Sequence, residues 1–262
     1  MTLDKAFVQK RFGQAVSSYD RAATPQTQIA DVLVGRLSAI MFEQEHRPLH
    51  KVLEVGCGTG LFSQRMVALL GSDGIDYTFN DLSPEVEIEL ARKLKQLPYT
   101  FQAFDAEHAE WRGAAYDLIA SSSCIQWWKR PLSFIDKAYN ALNPQGLMVL
   151  STFLPSNLKE IQSIQPYILP YPSEEELRET LETNGFSHYE MQKEQVTMSF
   201  STLLELLRHL KETGTNALRR NDKVWTPSAL LRLEGELREE QSLSQGAPLT
   251  LTYDAIIVTA VR

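Results

Sequence analysis

"KVLEVGCGTGLFS", Lys51 to Ser63, decides how the rest of the chain is read. "KVLEVG" (51–56) is a short apolar run that ends in glycine, as a buried strand does. "LFSQRMVALLG" (61–71) has helical periodicity, and Gly71 stands where a helix ends on a C′ glycine. Gly56, Gly58 and Gly60 therefore occupy a strand-to-helix turn, where glycine allows a tight bend and close approach of a ligand to the backbone. The spacing is G-x-G-x-G. The dinucleotide fingerprint needs glycine at 61, and Leu61 stands there, which points away from NAD toward another adenosine-bearing ligand. A plain turn with no ligand is the alternative.

Outward from that loop, strand and helix signals alternate. "DYTFND" (76–81), "YTFQAFD" (99–105), "YDLIASS" (116–122) and "LMVLSTF" (147–153) read as strands. "SPEVEIELARKLKQL" (83–97) reads as a helix with Ser83 as N-cap and Pro84 at N1. "PLSFIDKAYNALNPQG" (131–146) reads as a helix stopped by Pro144 and Gly146. This rhythm predicts a parallel sheet with helices on both faces. Beyond it, "SEEELRETLETNGF" (173–186) opens with a capping box, Ser173 to Glu176, and "HYEMQKEQVTMSF" (188–200) alternates as an exposed strand does. A second box, Thr202 to Glu205, opens a helix striped by Leu203, Leu206, Leu207 and Leu210. Thr226 and Pro227 open another, striped by Leu230, Leu233 and Leu237. "LTLTYDAIIVTAV" (249–261) closes the chain as a strand. The expected organisation is an N-terminal helical segment (1–45), a core (46–200 with 248–262) and a helical cap (201–247) inserted between the last two strands.

The formal net charge of -7 disfavours non-specific nucleic-acid binding. Cys57 and Cys124 lie far apart and outside any CxxC pair, so neither a disulfide framework nor a metal site is expected. The first twenty residues are charged throughout and carry no apolar leader, and no apolar run reaches membrane-spanning length, so a cytoplasmic protein is expected.

Three acids fall beside the glycine loop. Asp81 ends the second strand, at the distance where a carboxylate takes ribose hydroxyls. Asp105 ends the third, where an acceptor meets an adenine amino group. Glu54 lies inside the first strand, and an unpaired carboxylate there is costly unless a cation such as an amino-acid ammonium comes near. Each alone is more often a turn or cap residue; their grouping points to a site.

With these motifs the chain resembles the class I S-adenosylmethionine-dependent methyltransferases. "LEVGCGTG", "NDLSPE", "FDAE" and "YDLIASS" look like their first four motifs. The resemblance implies a Rossmann-like α/β fold, a seven-stranded sheet with an antiparallel last strand. It also implies that Glu54, Gly56, Cys57, Gly58, Gly60, Asp81, Leu82, Asp105, Ala106 and Ser121 surround S-adenosylmethionine. Further stretches, "RFGQAVSSYDRAATPQTQIA", "CIQWW", "LKETGTNAL" and "PLTLTYDAIIVTAVR", look like the BioC family, the malonyl-acyl carrier protein O-methyltransferases of biotin biosynthesis. That resemblance implies methyl transfer to a malonyl carboxylate on an acyl carrier protein. Lys129-Arg130 and Arg219-Arg220 depart from the pattern. Alternatives are a methyltransferase for a free small acid or quinone precursor, and a non-catalytic cofactor-binding module.

"CIQWWKR" follows the fourth strand, at the strand end where an open α/β sheet presents its ligand. Gln126 is the candidate to orient the substrate carboxylate and Trp127 to wall the sulfonium. Trp128 is expected to pack under the inserted helices, or both rings simply join cap to sheet. Lys129 and Arg130 read as a solvated turn. Tyr19 is the candidate to close over the cofactor. Acyl carrier proteins are acidic, so Arg208, Lys211, Arg219, Arg220 and Lys223 form a candidate docking surface, against the commoner fate of a solvated face.

Overall fold

The computed structural model describes residues 4–43, 48–111, 115–162, 164, 169–215, 226–244 and 246–262. The chain opens with two helices, α1 (Lys5–Ala22) and α2 (Thr24–Glu43). It then alternates through β1 (Lys51–Val55), α3 (Leu61–Leu70), β2 (Asp76–Asp81), α4 (Glu87–Leu94), β3 (Tyr99–Ala103), β4 (Tyr116–Ser122), α5 (Ser133–Ala141) and β5 (Leu142–Phe153). It ends with α6 (Glu174–Asn184), β6 (His188–Phe200), α7 (Leu203–Glu212), α8 (Pro227–Glu240) and β7 (Leu249–Val261). The described strands form one seven-stranded sheet in the order β3-β2-β1-β4-β5-β7-β6. β1 to β5 run parallel, and β7 is antiparallel to both β5 and β6.

Side-chain alternation along the strands feeds two cores. Val52, Phe79, Leu118 and Val149 pack with Leu33 and Leu37 of α2 and Met66 of α3. Leu53, Ile119, Leu150 and Ile256 pack with Phe134 of α5 and Leu177 and Leu181 of α6. The expected leucine stripes join the first core: Leu203, Leu206, Leu210 and Leu237 are buried there, and Leu207, Leu230 and Leu233 pack against it. Each fully buried leucine contributes roughly 1.5–3 kcal/mol, which holds α7 against β6, β7 and α1, and α8 against α7. β6 is an edge strand, half exposed along its length, as its alternation predicts.

Local chemistry departs from the sequence reading at several points. The Ser173–Glu176 capping box forms in full. At α7 Thr202 caps Glu205 N, but the Glu205 carboxylate reaches one residue further back, to Ser201 N. Ser83 does not cap a long helix: its hydroxyl donates to Glu85, and a 3-10 turn (Pro84–Val86) precedes a shorter α4 that stops at Lys95, φ 52°. Pro144 and Gly146 do not stop α5, which ends at Ala141. The segment from Leu142 belongs to β5 because the chain end captures it: Gln145 N donates to Arg262 O, and Arg262 N to Gly146 O. No described helix is long and apolar enough to cross a membrane.

Candidate active site

The sheet order reverses between β1 and β4, and the crevice at those carboxyl ends is where ligands of open α/β sheets bind. Gly56 sits there at φ 72°, and a Cβ on it would lie 2.1 Å from Cys124 Sγ. Only glycine fits, so the loop after β1 and the loop after β4 close on each other. Gly58, φ 51°, has nothing within 4 Å of its Cβ position; its open side borders the cavity. The turn is fixed by Gly56 N and Cys57 N, both donating to Asn80 O at 2.8 and 2.9 Å.

Asp81 fastens this loop to the next. Its carboxylate accepts from Gly58 N at 2.9 Å and from Ser83 N at 2.8 Å. Burial raises its pKa, and those backbone donors oppose the rise. Glu54 is 1% exposed, and its Oε2 has no hydrogen-bond partner. Burial, reinforced by the charge of Asp81, pushes its pKa up to about 8. Asp105 lies two residues beyond β3. Burial raises its pKa, but Lys5 and His108 outweigh burial and hold it below the ordinary carboxylate range.

Helix α1 roofs the crevice and is tied down at both ends. Near its start, Lys5 Nζ lies 2.6 Å from Asp105 and 2.5 Å from Glu107. Near its end, Asp20 accepts from Thr59 of the glycine loop at 2.5 Å and pairs with Lys93 of α4 at 2.5 Å. These ties join residues 39 to 102 positions apart and carry no local sequence signal. Between them Val8, Phe12, Val16 and Tyr19 face the cavity.

Of the expected cofactor residues, Glu54, Gly56, Cys57, Gly58, Asp81, Leu82, Asp105 and Ala106 line one cavity. Gly60 and Ser121 do not: Gly60 turns the chain into α3, and fully buried Ser121 donates to Val55 O at 2.9 Å, bracing β4 to β1. Ser122 and Ser123 line the cavity in its place. The fit to an adenosyl amino acid rests on two features of this lining, the orphaned Glu54 oxygen at one place and the Asp81 carboxylate beside the open Gly58 at another.

A second, smaller cavity adjoins the first and shares Phe12, Tyr19, Gln26, Ser123 and Trp127 with it. The two tryptophans divide there. Trp127 borders both cavities and meets Phe12 edge-on at 5.1 Å between centroids. Trp128 borders only the first cavity, where Lys5 Nζ lies over its ring, and is otherwise buried against Trp111 and Phe134, at 6.3 and 5.8 Å, on the α5 side of the sheet. It does not pack under the inserted helices: its ring joins the core on the α5 side, while Trp127, last in the 3-10 turn Ile125–Trp127, stays with Phe12 of α1. Lys129 and Arg130 have exposed side chains, as a solvated turn does, but their backbone N–H groups donate to Glu107 at 3.0 and 2.8 Å. Gln126 is buried beside the smaller cavity; its Nε2 donates to Ser123 O at 2.6 Å and its Oε1 is left unpartnered.

Arg208 and Lys211 lie exposed on α7. Arg219, Arg220 and Lys223 lie outside the described residues.

Comparison with known proteins follows this geometry. Residues 19–190 match the family model of a methyltransferase domain. Solved structures share the fold: the YcgJ protein of Bacillus subtilis has a TM-score of 0.61 at 15% identity, covering 88% of this chain and 98% of that one. The plantazolicin methyltransferase BpumL, solved with S-adenosylhomocysteine and an analogue, has a TM-score of 0.54 at 14% identity, covering 97% and 96%. Over nearly the whole length the chain is 36% identical to malonyl-[acyl-carrier protein] O-methyltransferase of Porphyromonas gingivalis, covering 98% of this chain and 96% of that one. It is 33% identical to the protein of the same name from Haemophilus influenzae, covering 99% and 95%. Since the likeness extends past the common sheet into α1 and the inserted helices, the chain belongs to the malonyl-[acyl-carrier protein] O-methyltransferase family of the methyltransferase-domain proteins.

Proposed function

We propose that this enzyme moves a methyl group from S-adenosylmethionine to the free carboxylate of malonyl-acyl carrier protein. The product is the methyl ester that starts pimeloyl synthesis for biotin. One observation carries the choice of acceptor: no described residue lining the smaller cavity is an aspartate, glutamate, histidine, lysine or arginine. An alcohol or amine acceptor needs a base to take its proton. A carboxylate is already ionised at pH 7 and needs none. The cofactor supplies an electrophilic methyl: a carboxylate oxygen forms the new O–C bond, and the S–C electron pair leaves with sulfur, with no proton moved.

The protein's part is positioning and exclusion of water. Asp81 holds the ribose hydroxyls and Glu54 meets the amino-acid ammonium. Trp127 and Tyr19 stand on the shared wall between the cavities, where the methyl passes. Gln126 gives one of its two amide N–H groups to Ser123 O and has the other to offer the carboxylate from the acceptor side. In this reading residues 1–45 close over the cofactor, and the 201–247 insertion caps the acceptor entrance and meets the carrier through Arg208, Lys211, Arg219, Arg220 and Lys223.

A labelled-methyl assay with malonyl-carrier, malonyl-coenzyme A and free malonate tests the reaction. Methyl ester is expected on the carrier substrate, with a preference over the small thioester that shrinks as salt screens the docking charges. Transfer to free malonate alone would move the enzyme to the free-acid alternative, and no transfer would leave a binding module.

The tryptophans should separate in mutagenesis. Trp127→Ala is expected to lower kcat by roughly 2- to 30-fold, the equivalent of a lost cation–π contact, with the fold intact. Trp128→Ala instead empties a core site and should cost about 3–5 kcal/mol of stability. Thermal melts beside turnover numbers check both; Trp127→Ala that melts early at full activity would return that ring to the core.

A further inference from the structure

We propose that the hydroxyls of Tyr171 and Tyr253 are the donors that hold the substrate carboxylate in the smaller cavity, with Asn157 and His209 turning them toward it. The proposal rests on the acceptor reading above and names the groups that serve it.

Tyr171, in the loop after β5, and Tyr253, on β7, both line this cavity, and Phe153 lies against both rings at 6.2 and 6.1 Å between centroids. The direction of the Tyr171 hydroxyl follows from its neighbour. Asn157 is buried, and its Oδ1 accepts from Asp254 N at 3.1 Å. A backbone N–H can only donate, so the other end of that amide is the NH2 group. It donates to Tyr171 Oη at 2.9 Å. The phenol oxygen is thus an acceptor on the Asn157 side and keeps its own proton for a group elsewhere. Tyr253 Oη meets His209 Nε2 at 2.7 Å. In the Nε2–H tautomer the imidazole donates, and Tyr253 keeps its proton for the cavity side, where the Thr213 and Thr215 hydroxyls also reach it.

The ligand these donors fit is an anion with two acceptor oxygens. Ser123 Oγ, buried and unpartnered on the wall shared with the first cavity, and the second Gln126 N–H are further donors there, but both sit at the Ser123–Gln126 end of the cavity lining. Gln126 Oε1 and Gln26 Oε1 are buried, unpartnered acceptors, which repel a carboxylate and suit the amide N–H of a pantetheine arm. Neutral phenols also suit the chemistry. A lysine or arginine here would draw electron density from the attacking oxygen and repel the sulfonium next door; a phenol orients the carboxylate without adding charge.

The test uses the full-length protein loaded with S-adenosylhomocysteine, titrated with malonyl-pantetheine and acetyl-pantetheine, which differ by the carboxylate. Wild type is expected to prefer the malonyl compound by ten-fold or more. Tyr171→Phe and Tyr253→Phe should each lose most of that preference, with S-adenosylhomocysteine affinity and acetyl binding held. Asn157→Asp tests the positioning role: it still accepts from Asp254 N, but it now takes the Tyr171 proton and turns it from the cavity. Its loss should therefore exceed that of Tyr171→Phe, an order that a merely structural asparagine would not produce. Unchanged preference in both phenylalanine variants, or no preference in wild type, overturns the proposal. Failure of the wild-type methyl-transfer assay would overturn the reaction assigned above and leaves this titration to judge the tyrosines.

Discussion

Asp81→Ala is expected to raise the dissociation constant for S-adenosylmethionine by about ten- to 150-fold, the loss of a charge-assisted contact worth roughly 1.5–3 kcal/mol. The geometry adds a second consequence. The Asp81 carboxylate also accepts from Gly58 N and Ser83 N, so alanine leaves two loop N–H groups without that acceptor. Each costs about 1 kcal/mol, and the glycine loop loses its tie to β2. Alanine therefore lowers affinity and melting temperature together. Asp81→Asn separates the two effects in part, since it keeps the side-chain shape and one acceptor oxygen, while its NH2 faces whichever of Gly58 N and Ser83 N the lost oxygen served. It should melt between wild type and Asp81→Ala and still bind weakly, because the charge of the contact is gone and its NH2 cannot accept from a ribose hydroxyl. Calorimetric titration and thermal melts on both variants measure this. Wild-type affinity in Asp81→Asn would remove the carboxylate's charge from recognition, and wild-type affinity in Asp81→Ala would remove Asp81 from the site.

The parts of this site legible in the sequence are those built from neighbours. Gly56, Gly58, Glu54 and Asp81 lie on or just after strands whose periodicity is plain, and a parallel sheet brings those strand ends together without further information. Gly56 carries a steric demand visible only in the fold, since the atom that excludes a side chain belongs to Cys124, 68 residues on. Ser121 shows the limit of motif transfer: a residue one step along a strand faces the opposite way, and Ser122 takes the cavity-facing place. The α1 ties through Lys5 and Asp20 are contacts between partly buried charges distant in sequence, which no periodicity encodes. Tyr171 and Tyr253 stayed hidden for a related reason. One lies in an irregular loop and the other reads as an ordinary apolar-strand aromatic, and their hydroxyls acquire a direction only from Asn157 and His209. Pro144 and Gly146 misled because a breaker signal marks where a helix cannot continue, not what captures the chain next.

The largest pH effect is expected from Glu54. In the unfolded chain its carboxyl titrates near the ordinary value of 4.5, and in the folded protein burial moves it to about 8. Between those values the folded state holds a proton that the unfolded chain has released. Stability of the cofactor-free protein must then fall as pH rises, by about 1.4 kcal/mol per unit within the window and up to about 5 kcal/mol across it. The contribution is whole below pH 4.5 and gone above pH 8. A cofactor ammonium beside Glu54 reverses the preference, because an opposite charge favours the ionised carboxyl. Binding at pH 7 should therefore release a proton, and the stabilisation by S-adenosylhomocysteine should be greater at pH 8 than at pH 6. Glu54→Gln keeps the side-chain volume and cannot ionise. Thermal unfolding from pH 5 to 9, with and without S-adenosylhomocysteine, should show a steep alkaline decline for wild type and a flatter one for Glu54→Gln. The calorimetric heat of binding should vary with buffer ionisation enthalpy only when Glu54 is present. Parallel declines in the two proteins would place the titrating proton on another group, Asp81 first, since burial raises that carboxyl as well.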